Sequence, residues 1–136
     1  MGLDMYAYTA PAELVGDQQV DINDALFDDG KAREGVDSNF AYWRKFNHLH
    51  GWMERLYREK GGTRESFNCT TVRLMPEDLD ALHAAASDKS LTPTAGFFFG
   101  GDGAFDDDDQ FTVLDFVQKA RMAIEEGKAV VYDCWW

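Results

Sequence analysis

Proline occurs three times and cysteine twice in 136 residues, and no apolar run approaches a membrane span. Each scarcity removes a class of protein. Cys69 and Cys134 show no C-x-x-C spacing, so zinc-ribbon and dithiol redox motifs are excluded, and both thiols are expected reduced and strand-borne in the core. The longest apolar stretches fall far short of the roughly 20 residues that a spanning helix needs, and a basic stretch leading into an apolar one is missing near residue 1. The expectation is a soluble, unexported protein. Basic residues are few, 13 against 25 acidic, giving net charge −12. Nucleic-acid phosphates would repel such a chain, so general nucleic-acid binding is not expected. HExxH, G-x-S-x-G, Walker and dinucleotide-binding glycine patterns are all missing, and no cofactor is implied.

What is abundant is aromatic: ten Phe, five Tyr and four Trp. That content argues against disorder and for a buried core, and the length fits one domain spanning 1–136. Charge is unevenly placed. Residues 39–66 hold six basic side chains against three acidic, a net of +3, which leaves −15 on the rest. Anions should be drawn to that segment first.

GLDMYAYT alternates, with Leu3, Met5 and Ala7 on one side and Asp4, Tyr6 and Tyr8 on the other, the period of a half-buried strand ending at Pro11. Residues 10–38 are an acidic excursion with a helical turn around Ala25–Phe27, either a lid or a passive loop. Residues 39–60 read as the best helix, with Tyr42, Phe46, Leu49, Met53, Leu56 and Tyr57 as its apolar stripe and Gly61-Gly62 as its stop. FNCTTVRL, 67–74, reads as a strand. Pro76 opens a helix with acids in its first turn, DQFTVLDFVQKARMAIEEGK forms a third, and AVVYDCWW a final strand. Strand, helix, strand, helix, helix, strand predicts an α+β fold: a small, mostly antiparallel sheet against about three helices.

Two segments invite a functional reading. In TPTAGFFFGGDGAFDDDD, residues 92–109, Asp106 to Asp109 sit at the start of the third helix, where they are expected to cap it rather than bind a cation. The rings of Phe97, Phe98 and Phe99 form either a buried plug or an aromatic wall beside a pocket. On the predicted 39–60 helix, Trp43, Asn47, His50 and Glu54 share a narrow arc at the edge of the stripe. There His50, oriented by Glu54 or Asn47, is a candidate general base or metal ligand, and Arg44 and Lys45 supply positive charge. A metal would need a third ligand, with Asp4, Asp102 or Cys69 as candidates. The bland alternative is a boundary histidine in a local pair. His48 and His83 read as surface residues.

Four motifs together carry a resemblance: GLDMYAY at 2–8; Tyr42, Trp43, Arg44, Lys45, Asn47, His50 and Trp52 in the pattern YWRKxNxxHxW; TxGFFFG from Thr94 to Gly100; and the terminal Tyr-x-x-Trp-Trp. The chain resembles a family of small uncharacterised bacteriophage and prophage proteins. The resemblance implies a phage-type accessory protein in the host cytoplasm, and it makes Trp43, Arg44, Asn47 and His50 likelier to share a site. The ligand-binding set it suggests is Trp43, Arg44, Asn47, His50, Phe98 and Trp135. The reading preferred is a non-enzymatic binding module that engages a host protein or sequesters a small anionic ligand. The alternatives are a small enzyme using His50 on a phosphate- or carboxylate-bearing substrate, and a virion structural or assembly component.

Overall fold

The computed structural model describes residues 2–93 and 103–136. Its α+β architecture is the expected one. Strand β1 (Asp4–Pro11) is followed by short helices α1 (Ala12–Val15) and α2 (Asn23–Leu26) and a small hairpin, β2 (Phe27–Asp28) with β3 (Lys31–Ala32). Then come β4 (Asp37–Arg44), α3 (Asn47–Glu59), β5 (Val72–Leu74), α4 (Pro76–Ser87), α5 (Asp107–Glu125) and β6 (Lys128–Trp135). The main sheet runs β4-β1-β6-β5, with every neighbouring pair antiparallel.

β1 is an inner strand, paired on one side to β6 over its whole length and on the other to β4 from Asp4 to Thr9, with a register shift after Ala7. Leu3, Met5 and Ala7 are fully buried and point to one face, as their alternation predicts. Side chains of α3, α4 and α5 cover that face: Leu49, Met53, Leu79, Leu82, Phe116 and Val117 pack with Met5, Val72, Leu74, Val130 and Tyr132. Among the described residues the opposite face is covered over half its length only. There the 10–38 excursion folds back, and Val15, Ile22 and Leu26 bury Tyr8, Ala10, Ala129 and Val131 in a second, smaller core. The excursion thus covers half of a sheet face.

Residues 39–60 are not one helix. The chain runs as strand to Arg44, turns at Lys45 with φ 55°, and becomes helical only at Asn47. The cause is pairing: Tyr42 and Trp43 lie opposite Tyr6 and Met5, and the Lys45 amide donates to the Leu3 carbonyl at 2.8 Å. The stop at Gly61-Gly62 holds, for a physical reason beyond backbone freedom. A Cβ on Gly62 would meet the Tyr57 ring at 2.3 Å. Of 67–74 only Val72–Leu74 is strand, since Cys69 adopts φ 53°. Cys69 is thus exposed and off-strand, against expectation, whereas Cys134 is buried on β6 with its thiol pushed up by burial.

The aspartate run caps α5. Asp106 accepts from the Asp109 amide at 2.8 Å, and the Asp109 carboxylate accepts from the Asp106 amide at 3.1 Å. Asp107 pairs with Lys89.

One ammonium ties the elements together. Lys60 donates to Gln19 Oε1 at 2.8 Å, to the Arg73 carbonyl at 2.7 Å and to Asp78 Oδ2 at 2.5 Å. The end of α3, the excursion, β5 and the first turn of α4 thereby meet at a side chain only 14% exposed. Removing it leaves Asp78 and a carbonyl short of a donor in a poorly solvated place. Lys60→Ala is expected to cost about 3 kcal/mol of unfolding free energy, read as a shift of the urea midpoint, whereas Lys119→Ala, in a helix-surface pair with Asp115, should cost well under about 1 kcal/mol.

Candidate functional site

The uncovered half of the outer sheet face is where side chains collect that the core does not use. In an antiparallel sheet, residues opposite one another share a face, so the register sets the rows. Asp4 stands between Arg44 on β4 and Trp135 on β6, and Tyr6 stands between Tyr42 and Asp133. Tyr6 stacks toward Tyr8 at 6.2 Å and meets Tyr42 at 5.4 Å. The result is a ladder of tyrosines with carboxylates between them.

Two carboxylates of this face are held firmly. Tyr42 donates its hydroxyl to Asp4 Oδ1 at 2.6 Å, and Arg44 lies 3.7 Å from the same oxygen. Asp133 accepts from the Tyr8 hydroxyl at 2.8 Å and from the Cys134 amide at 2.8 Å. Burial pushes the Asp133 carboxyl up, against the pull of these two hydrogen bonds. Burial, followed by the charges of Asp4 and Asp133, likewise raises the Tyr6 phenol. Both groups therefore keep protons more tightly than usual.

At the end of the face lies a cleft of about 410 Å³ lined by Gly2, Asp4, Arg44, Trp135 and Trp136. Its walls are fixed from behind. Trp136 donates its indole N–H to the Phe67 carbonyl at 2.9 Å, and its backbone is clamped in both directions by the Asn68 amide, at 2.9 and 2.7 Å. Trp135, by contrast, is 61% exposed. A Cβ on Gly2 would stand 3.1 Å from Arg44 Nη2, so the missing side chain gives the guanidinium room. On the other flank of Arg44, Trp43, Lys45, Phe46, Asp109 and Thr112 line a second cleft of about 280 Å³.

Of the residues the sequence nominated, Arg44 and Trp135 come together in the first cleft, and Trp43 joins Arg44 in the second. The narrow arc is not formed. Trp43 belongs to β4, where its ring packs on Phe116 at 4.9 Å, and Asn47 is a buried residue opening α3. His50 is fully buried rather than half buried. Its Nδ1 lies 2.7 Å from the Tyr132 hydroxyl, its ring is 5.1 Å from Phe67, and it lines neither cleft beside Arg44. Glu54 turns to the helix surface and pairs with Arg58 at 3.7 Å. His48 also departs from expectation: it is buried and donates from Nε2 to the Gly103 carbonyl at 2.8 Å, while His83 is exposed. Phe98, with Phe97, Phe99 and Asp102, lies outside the described residues. Among the described residues no three His, Cys, Asp or Glu side chains are grouped to hold a metal ion, and Asp4, Cys69 and His50 stand apart.

The basic segment is largely spent inside the fold. Arg58 donates to the carbonyls of Arg64 and Glu65 at 2.5 and 3.2 Å, and Lys60 serves its three acceptors. Arg44 lines both clefts and Lys45 the second. Tyr6, Tyr42, Asp133 and Trp136 were missed as site residues, although the alternation Asp4, Tyr6, Tyr8 already set two tyrosines on the face away from the core.

No protein-family model, curated protein or solved structure matches the chain. The likeness to the phage family therefore stands on its four motifs alone.

Burial lowers His50 to about 4. The folded state thus binds its proton later than the unfolded chain, for which the ordinary value is near 6.5. The contribution is fully present above pH 6.5 and is lost as pH falls toward 4. Between pH 7 and pH 5 the loss is about 2 kcal/mol. Asp133, whose carboxyl is raised, works in the opposite sense and gains stability on acidification. Comparing urea unfolding of wild type and His50→Gln at the two pH values isolates the histidine: the variant should lose about 2 kcal/mol less. An equal loss in both would remove the buried imidazole from the account.

Proposed function

We propose that the chain is a non-catalytic binding module that takes a small anionic ligand with a planar body in the cleft formed by Asp4, Arg44, Trp135 and Trp136. One observation carries this reading: a guanidinium and two indoles, from opposite edges of a central strand, line one cleft of ligand size. Each group has its part. Arg44 meets the anion with a planar fork of donors. The indoles offer faces for stacking, worth about 1–3 kcal/mol for a base-like ring. Asp4, held by the Tyr42 hydroxyl, accepts an N–H from the ligand and disfavours a second negative charge beside the first. Nucleoside monophosphates and aromatic carboxylates have this chemistry. The phage-type accessory role in a host cell, which the four motifs imply, fits sequestration of such a compound.

The enzyme reading has lost its base, because His50 is enclosed between Phe67 and Tyr132 and Glu54 faces elsewhere. A second binding reading keeps one specific support. Tyr42 and Trp135 are 54% and 61% exposed beside Arg44, and Trp, Tyr and Arg are the residues that dominate protein-protein contacts. Under that reading the same face engages a host protein. No feature of the fold favours a virion component.

The deciding experiment is a thermal-shift screen with nucleoside monophosphates, aromatic carboxylates, sugar phosphates and inorganic phosphate. A ligand at 100 times its dissociation constant adds about 2.7 kcal/mol of stability, a shift of several degrees. Arg44→Ala should abolish the shift, and Trp135→Ala should weaken binding about tenfold or more. A shift unaffected by either change would place the ligand elsewhere. No shift anywhere in the panel would overturn the small-ligand reading and move the weight to the protein partner.

A further inference from the structure

The sheet has two edges, and the fold treats them differently. β5 is three residues long and is covered by the excursion: Val20 bridges Val72, and the Arg73 amide donates to the Gln19 carbonyl at 2.8 Å. β4 is eight residues long and free of proline, with one irregularity in its pairing between Asp37 and Ala41 and regular pairing from Ala41 to Arg44, and among the described residues no backbone group pairs with its outer side. Proteins commonly blunt such an edge, because a row of open N–H and C=O groups is a template for another strand.

Register identifies the open groups. The bond from Lys45 N–H to the Leu3 carbonyl makes Leu3/Lys45 a hydrogen-bonded pair, and the alternation continues through Met5/Trp43 and Ala7/Ala41. Tyr42 and Arg44 fall between these pairs. Their N–H and C=O groups point away from β1, into solvent.

Charge identifies the occupant. β4 begins at Asp37 and ends at Arg44, with Lys45 next. Two such strands running antiparallel about a two-fold axis set each basic end beside the acidic end of the other. The net −12 of the whole chain opposes the approach of a second copy. At this edge the charges attract.

We propose that β4 pairs antiparallel with β4 of a second copy, joining two four-stranded sheets into one of eight. The two proposals share Arg44, whose guanidinium lines the cleft and whose backbone lies on the β4 edge, and they are separated by their readouts. The readout of the strand pairing is mass, not ligand binding.

Sedimentation of the full chain should give twice the 15.4 kDa chain mass at micromolar concentration, with the dimer weakened by salt. A monomer up to millimolar concentration overturns the proposal. Tyr42→Pro removes an outward donor and leaves the β1 ladder untouched, so it should give a folded monomer. Tyr42→Ala keeps the donor and should remain dimeric. A Tyr42→Pro dimer as tight as wild type excludes this edge. Should the proline chain fail to fold, charge decides. Arg44→Asp alone and Asp37→Arg alone place like charges together and should each weaken dimerisation at least tenfold, and mixing the two chains should restore it as a heterodimer. Failure of the mixture to associate overturns the two-fold pairing.

Discussion

Strand β1 is hydrogen-bonded on both sides, and that constraint governs everything else. A strand paired to β6 along its whole length and to β4 from Asp4 to Thr9 cannot rotate, so its alternation is imposed on the molecule. Leu3, Met5 and Ala7 must face the helices, and Asp4 and Tyr6 must face away. A slip of one residue would bury a carboxylate among Leu49, Met53 and Val117 and put Met5 in water. The same register carries Arg44 and Trp135 to the two sides of Asp4. The cleft is thus a product of strand pairing, not of any local motif.

The two faces of the sheet solve different problems. The helical face is closed by apolar packing, and it encloses His50, which sits against the Tyr132 hydroxyl and stays neutral because charging it there is costly. The other face is covered by the excursion at one end and left open at the other. At the boundary Asp133 is retained by the Tyr8 hydroxyl and a backbone amide. Polar groups at the open end, Arg44 among them, are half exposed. A ligand or partner surface can compete for them there without dismantling the core.

Much of the fold was legible from sequence. The first and last strands announced themselves by alternation and β-branched content, the helix at Pro76 by its opening proline, and α5 by its apolar stripe and capping aspartates. NFAYWRKFNHLH was misread because its aromatic spacing suits either period and no glycine or proline marks the break. The turn at Lys45, with φ 55°, is set by pairing with β1, some 40 residues earlier in the chain, and no local preference encodes it. His50 was placed at the half-buried edge of the stripe because its partner Tyr132 is 82 residues away. The excursion hid its role because Val15, Ile22 and Leu26 are isolated apolar residues among acids, and only the sheet face gives them a common purpose. Arg44 and Trp135 were both nominated, on separate grounds. That they share one cleft follows from the register alone.

We propose that the cleft beside Arg44 receives a planar anion. The four indole N–H resonances of the isotopically labelled protein report on it directly during titration with adenosine monophosphate and with benzoate. Saturable movement of the Trp135 and Trp136 signals, with Trp52 unmoved and the response lost in Arg44→Ala, is the expected result. No movement of either terminal indole at millimolar ligand, or movement confined to Trp52, would contradict it.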